Sequence, residues 1–380
     1  MKKEFHFKIL AIIVLPVLFL FILEISSFLI LKNFEKENKF DMKKFISKKN
    51  SSFKSIPDFE KVKAQLIDKS CKKIIFYDPK SQLPYYSEQN HKCEGETVEN
   101  GLRKTHYQNK NSQKNIYILG GSTIWGTGAS DEFTIPSIIQ KKINFSNNIK
   151  TIYNVYNYGF STLVSHQQFK LLKKINLKKE DIVIFYDGNN DIWQANINRN
   201  PYGTMIGYNN KNKVSILINK LKFFIHNNSY FDQLVIKIRG QKNFKCSKLS
   251  IDKNKINENF NIYIKAILKA KIYTETSGAE FYHFFQPTLF TRSNKTDFEK
   301  YMISTMPSHI MPCNTKDGLF EISTQHYLKN YNKFKYQING TNLGDIFDKY
   351  KVDFYIDASH KNALGNKIVA NKIFNTINLD

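Results

Sequence analysis

Cysteine is scarce in this chain: four in 380 residues, too few for a small fold built on disulfides. Nine prolines and sixteen glycines exclude collagen-like and Pro-rich low-complexity designs. Acidic residues are also short, 33 against 57 Lys+Arg, which leaves a net charge of +24. That excess is nearly all Lys, spread along the chain among Asn and Ile. No basic helix, C2H2 spacing or RNP-type aromatic strand accompanies it, so no nucleic acid partner is expected. Attraction to anionic lipid headgroups or acidic glycans is the expected consequence. Neither H-E-x-x-H nor any zinc-ligand spacing of Cys and His occurs, and no metal or cofactor is implied. What the chain does have is core-forming material, 41% hydrophobic and 14% aromatic, too much for a disordered polymer.

The first feature is a membrane end. Ile9 to Leu31 is apolar apart from Glu24, Ser26 and Ser27, with Lys2, Lys3 and Lys8 in front and Lys32 behind. As a helix this run covers about 34 Å, enough to cross a bilayer. It exceeds the apolar core of a cleavable signal, and Ile25-Ser26-Ser27 is a weak cleavage site. A single-pass transmembrane anchor is therefore expected, with residues 1–32 as cytoplasmic tip and span. Orientation is contested. Lys32, Lys36, Lys39, Lys43, Lys44, Lys48 and Lys49 follow the span, and a count of positive charges would leave the body in the cytoplasm. Cys71, Cys93, Cys246 and Cys313 are even in number and contain no C-x-x-C pair, which suits two long-range disulfides in an oxidising space. The expectation is a body outside the cytoplasm.

Residues 33–112 are polar and Lys-rich, and read as a juxtamembrane linker and a small subdomain, with Cys71 and Cys93 a possible staple. From Asn115 onward, apolar runs of strand length alternate with helical patterns, as βαβ units around a parallel sheet do. Strands are expected at Ile116–Leu119, Ile152–Tyr156, Asp181–Tyr186, Phe281–Phe285 and Val352–Ile356. Helices are expected from Ser130 or Asp131 as N-cap to about Ile143, and over Thr162–Ile175, Ile256 to about Thr276, and Leu364–Ile377. Two stretches, about 192–254 and 290–350, break the rhythm. They are read as insertions that shape a substrate site, since ligands of such sheets bind at the carboxyl ends of the strands.

Four of those strand ends are unusual. The first is Gly120-Gly121-Ser122-Thr123-Ile124-Trp125-Gly126. It lacks the Gly-Lys-Ser/Thr ending of a phosphate loop, the G-x-G-x-x-G spacing of a dinucleotide turn and the G-x-S-x-G of a hydrolase elbow. What remains is a serine at the tip of a buried strand, flanked by glycines that let a substrate approach the backbone. The others are Asn157-Tyr158-Gly159, Asp187-Gly188-Asn189-Asn190-Asp191 and Asp357-Ala358-Ser359-His360. Each alone is also ordinary turn chemistry. His166 reads as a surface or partly buried helix residue, His283 as a hydrogen-bonded core residue, and Trp125 and Trp193 as packing or pocket-lining aromatics.

Together, the ordered set Gly121-Ser122, Gly159, Gly188-x-Asn190-Asp191 and Asp357-x-x-His360 resembles the SGNH (GDSL-like) hydrolase family, from about residue 115 to the C-terminus. It is similar in particular to membrane-anchored members with Gly-Gly-Ser-Thr in the first block. Gly121 departs from the more common Gly-Asp-Ser. The resemblance implies a three-layer α/β/α flavodoxin-like domain with insertions, over 113–380 and preceded by the transmembrane helix. It implies a catalytic triad of Ser122 as nucleophile, His360 as base and Asp357 as its orienting carboxylate. It also implies an oxyanion hole from the Ser122 and Gly159 backbone N–H groups and the Asn190 amide, with Asp191 holding that turn.

A membrane-tethered serine esterase follows as the expectation, acting on acylated glycans of the envelope or lipid-like esters without a cofactor. Two alternatives stay open: an O-acyltransferase with the same triad, and a non-catalytic envelope-binding protein of the same fold. The oligomeric state is not readable from the sequence.

Overall fold

In the computed structural model, residues 14, 18–30, 75–77, 83–86, 90–194, 252–305 and 318–379 are described. The chain divides into one unit of residues 1–45 and 206–248 and another of 46–205 and 249–380. In the first unit, residues 18–30 are helical and expose Phe19, Leu20, Phe21 and Ile22. No helix among the described residues is long and apolar enough to cross a membrane. The rest of the apolar run 9–31, apart from Val14, lies outside them.

The second unit is built on β-strands numbered in chain order. Strands β1 (Ile75–Tyr77) and β2 (Pro84–Tyr86) pair antiparallel as a separate ribbon. The remaining strands are β3 (His91–Cys93), β4 (Glu96–Glu99), β5 (Leu102–Arg103), β6 (Lys114–Gly120), β7 (Tyr153–Gly159), β8 (Ile182–Asp187), β9 (Glu280–Phe285) and β10 (Gly340–Asn342). They form one eight-stranded sheet in the order β10-β9-β8-β6-β7-β5-β4-β3. The five strands from β10 to β7 are parallel and the three from β5 to β3 are antiparallel. The described end of the 33–112 stretch thus continues the main sheet, through the pairing of Arg103 with Asn157. Cys93, at the sheet's outer edge, is disulfide-bonded, while Cys71, Cys246 and Cys313 lie outside the described residues.

Burial explains the parallel strands. All six residues of β8 are buried, the near-continuous apolar run of a strand covered on both faces. The helices are α1 (Ser122–Trp125), α2 (Ile135–Asn144), α3 (Ser165–Leu172), α4 (Asn189–Ile192), α5 (Lys253–Thr276), α6 (Asp297–Thr305), α7 (Leu319–Phe334) and α8 (Ala363–Phe374). Tyr117, Leu119, Val183, Phe185, Phe281 and Phe285 share one core with Leu172 of α3, Phe260, Tyr263 and Ile267 of α5, and Tyr327 and Tyr331 of α7. Neighbouring positions along the strands point to the opposite face, where Ile116, Ile118, Ile184 and Phe284 are buried. Helices α2 and α8, packed against each other, bury Ile135, Ile139, Ile143, Val369, Ala370 and Ile373.

The chain enters the parallel sheet at β6, goes to β7 on one side and then crosses to β8 on the other. Two successive strands that leave in opposite directions open a crevice at their carboxyl ends. Ser122 follows β6 and Asn190 follows β8, so both stand at that crevice.

The structure corrects three expectations. Val352–Ile356 is not the fifth strand; it makes a single bridge, Tyr355 to Lys361, and β10 takes that place. Phe354 and Tyr355 pack on Phe347, at 4.4 and 5.6 Å between ring centroids, so their apolarity serves a loop core. The edge strand Gly-Thr-Asn has no apolar residue to mark it. Residues 290–350 are not a plain insertion, because α7 and β10 within them complete the helix layer and the sheet. Helix α2 starts at Ile135, capped by Thr134 whose side chain accepts from the Ser137 N–H. Ser130 and Asp131 instead begin a 3-10 turn, and the Asp131 carboxylate is engaged by Arg103 at 2.9 Å. Of the other expected insertion, residues 195–251 lie outside the described residues.

Candidate active site

Three loops at the carboxyl ends of the strands bring the site together. Ser122 opens α1 right after β6, so its N–H is the first of a helix and has no intrahelical acceptor. Asp357 and His360 come from a turn near the C-terminus, 238 residues away from Ser122 in the case of the histidine. His360 Nε2 lies 2.7 Å from Ser122 Oγ, and His360 Nδ1 lies 2.5 Å from Asp357 Oδ2. The other carboxylate oxygen accepts from the Ser359 and His360 N–H groups, both at 2.8 Å.

Proton placement follows from these contacts. Burial alone would raise the Asp357 carboxyl, but the neighbouring imidazole and the donated hydrogen bonds outweigh it and hold the group down to about 2. An ionised carboxylate only accepts, so Nδ1 carries the proton and Nε2 is left to accept from the serine hydroxyl. The histidine side chain is 17% exposed and the aspartate 43%, so the carboxylate is only partly withdrawn from solvent.

Two of the expected oxyanion donors lie against the segment that carries Ser122. A Cβ at Gly121 would collide with the Asn190 amide nitrogen, which places that amide beside the Gly121–Ser122 turn. The Asn190 amide donates to the Leu163 carbonyl at 3.1 Å, one of its two N–H bonds. Gly159 packs against α1, and a Cβ there would fall on the Trp125 backbone nitrogen. Its N–H, an expected oxyanion donor, is engaged by Asn157 Oδ1 at 2.9 Å. The same Asn157 donates to the Ile124 carbonyl at 2.9 Å, so this side chain bridges the end of β7 to α1.

Below the surface, Asp191 accepts from Ser165, tying the β8 turn to the start of α3. Burial first, and the nearby Asp187 second, raise the Asp191 carboxyl to about 8. Asp187 accepts from Tyr263 at 3.0 Å and meets His283 Nε2 at 2.8 Å, while His283 Nδ1 meets Tyr331 at 2.7 Å. His283 is the hydrogen-bonded core residue its strand position implied. His166 is partly buried on α3. Trp125 packs near Phe160 and Trp193 near Phe320.

Sequence reasoning missed Arg103. This fully buried side chain donates to Asp131, to the Trp125 and Gly126 carbonyls at the end of α1, and to those of Gly95 and Ala129. It lies in a two-residue strand, and no local motif marks it.

A serine hydroxyl on an imidazole on a carboxylate, set at the carboxyl ends of a parallel α/β sheet, is the arrangement of a serine hydrolase. The chain belongs to the GDSL-like lipase/acylhydrolase family, whose model matches residues 116–373. No curated protein matches it significantly. Among solved structures, a lipolytic protein of the G-D-S-L family from Veillonella parvula is similar at 11% identity and a TM-score of 0.37, over 69% of this chain and 97% of that one. An acetylxylan esterase from Geobacillus stearothermophilus is similar at 10% identity and a TM-score of 0.40, over 71% and 96%. An alpha/beta hydrolase from the metagenome of Lake Arreo, Spain, is similar at 10% identity and 0.39, over 70% and 95%.

Proposed function

We propose that this chain is a membrane-tethered, extracytoplasmic serine esterase of O-acyl esters, its flavodoxin-like catalytic domain over 113–380 behind an N-terminal anchor and the 33–112 segment. The observation that carries the reading is the unbroken hydrogen-bonded path from Ser122 through His360 to Asp357. His360 Nε2 takes the Ser122 proton as Oγ bonds to the acyl carbon. The ester C–O bond then breaks, and the same proton passes to the departing alkoxide. Water repeats the sequence in reverse and frees the acid. Asp357 keeps the imidazole in the tautomer this needs and balances its charge.

The oxyanion donors are the Ser122 N–H, the second N–H of the Asn190 amide, and the Gly159 N–H shared with Asn157. The substrate class we propose is O-acetylated envelope glycans or lipid-derived esters. Support for it comes from the +24 charge, which draws the domain to acidic polymers and headgroups, and from the apolar run 9–31. A disulfide at Cys93 favours an oxidising compartment.

The test uses the full chain in detergent. Fluorophosphonate should label the wild type and not Ser122→Ala, and the wild type should hydrolyse p-nitrophenyl acetate and release acetate from acetylated glycan. A labelled alanine variant would move the nucleophile elsewhere. Acetyl transfer to added glycan with no free acetate would make the protein a transferase. For the tether, a phosphatase fused after residue 60 should be active, and an inactive fusion would put the body in the cytoplasm.

A further inference from the structure

Lys361 follows the site histidine in the chain and is only 1% exposed. A lysine in such a place is costly, because burial strips water from its charge. Its Nζ donates to the Ser359 carbonyl at 2.7 Å and to the Pro287 carbonyl at 3.2 Å. It also lies over the rings of Tyr186 and Tyr355, each 5.7 Å from the centroid. No carboxylate forms an ion pair with it among the described residues. Burial lowers its pKa to about 7, with the Asp357 charge pulling the other way. A neutral amine still has two N–H donors, so both carbonyl contacts outlast the charge.

The contact to Ser359 has a particular geometry. The Ser359 carbonyl and the His360 N–H belong to one peptide plane. Lys361 grips that plane by its oxygen, and Asp357 Oδ1 grips it by its N–H at 2.8 Å. The contact to Pro287 ties the grip to the loop after β9, where the Leu289 N–H also donates to the Ala358 carbonyl at 2.9 Å. The plane that orients the imidazole is therefore held at both ends and moored to the sheet.

We propose that Lys361 is a positioning residue for the esterase reaction: by clamping the Ser359 and Pro287 carbonyls it sets the His360 ring at its distance from Ser122. The inference rests on the assignment of His360 as the base. A small tilt of a base at 2.7 Å is felt in rate before it is felt in binding, since misplacement by about 1 Å can cost on the order of a hundred-fold. A lysine serving packing alone would leave kcat untouched once the fold is intact.

Lys361→Met removes the amine and keeps an unbranched side chain one atom shorter, and Lys361→Leu is a second neutral variant. With the full chain in detergent and p-nitrophenyl acetate as substrate, kcat is expected to fall about ten- to hundred-fold. KM should stay within about two-fold of wild type and the near-UV circular dichroism should be preserved. Fluorophosphonate labelling should slow in parallel. Either folded variant with near wild-type kcat, or with a raised KM alone, overturns the proposal. So does failure of both to fold, which would make Lys361 a stability residue. Ser122→Ala, run alongside, separates the two claims. Its wild-type activity would defeat the assignment of the site, whereas its inertness beside a fully active Lys361→Met defeats only the role of the lysine.

Discussion

Asp191 accepts two hydrogen bonds from Ser165, one from its N–H at 3.0 Å and one from its hydroxyl at 2.6 Å. The turn after β8 is thereby fastened to the N-terminal end of α3, while Asn190, one residue before, donates to Leu163 of the same approach. The Asp191 side chain holds the turn, and that of its neighbour Asn190 lies against Gly121.

The buried Asp191 makes stability depend on pH with a definite sign. Its folded pKa, about 8, exceeds the ordinary carboxyl value of 3.8, so the folded state binds more protons between those values. Unfolding free energy contributed by this group then falls as pH rises through that window. Asp191→Asn supplies a neutral isostere and should flatten the decline. Thermal melts of wild type and variant from pH 5 to 8 will check it, and an equally steep decline in the variant would assign the effect to another group.

Asn190→Ala should lower kcat by about 100-fold or more with little change in KM, because an oxyanion donor acts on charge that develops only in the transition state. Steady-state kinetics on a p-nitrophenyl ester distinguish this from a binding role, for which KM alone would rise.

Gly159→Ala should inactivate the protein by displacing α1. Its new methyl group would meet the Trp125 backbone nitrogen and the Ile124 carbonyl carbon, and backbone cannot rotate out of the way as a side chain can. The expected result is a kcat loss of about 100-fold in a protein that retains its far-UV circular dichroism. Unchanged turnover would show that β7 and the nucleophile helix can part without harm.

Arg103→Met should destabilise the fold by about 3–5 kcal/mol, the usual cost of removing one partner of a buried ion pair. Asp131 and four carbonyls lose their common donor. Urea unfolding followed by tryptophan fluorescence will measure it. A loss below about 1 kcal/mol, the level of a surface pair, would mean that the cluster is satisfied in another way.

The candidate site residues were legible because small and polar side chains follow apolar runs there. Ser122, Gly159 and Asn190 stand at the ends of β6, β7 and β8, whereas the Asp357–His360 turn follows an apolar run that makes only a single bridge. The supports carried none. Arg103 sits in a two-residue strand, and its main partner Asp131 is 28 residues away. Lys361 looks like one more lysine in a lysine-rich chain. Strand β10 is three residues without an apolar side chain, whereas Val352–Ile356 looked like a strand and its Phe354 and Tyr355 form a loop core.

By itself, the order of residues determined the period of each segment, and so the alternation of strands and helices and the points where strands stop. Those are local properties, set by side-chain type along a few turns of backbone. Only the tertiary structure decided which strand fills the sheet edge, which partners engage the Gly159 and Asn190 donors, and how Lys361 and Arg103 are bonded to the segments that carry His360 and Ser122. These depend on contacts between distant segments, and burial gives the same residue a different role from the one its exposed chemistry suggests.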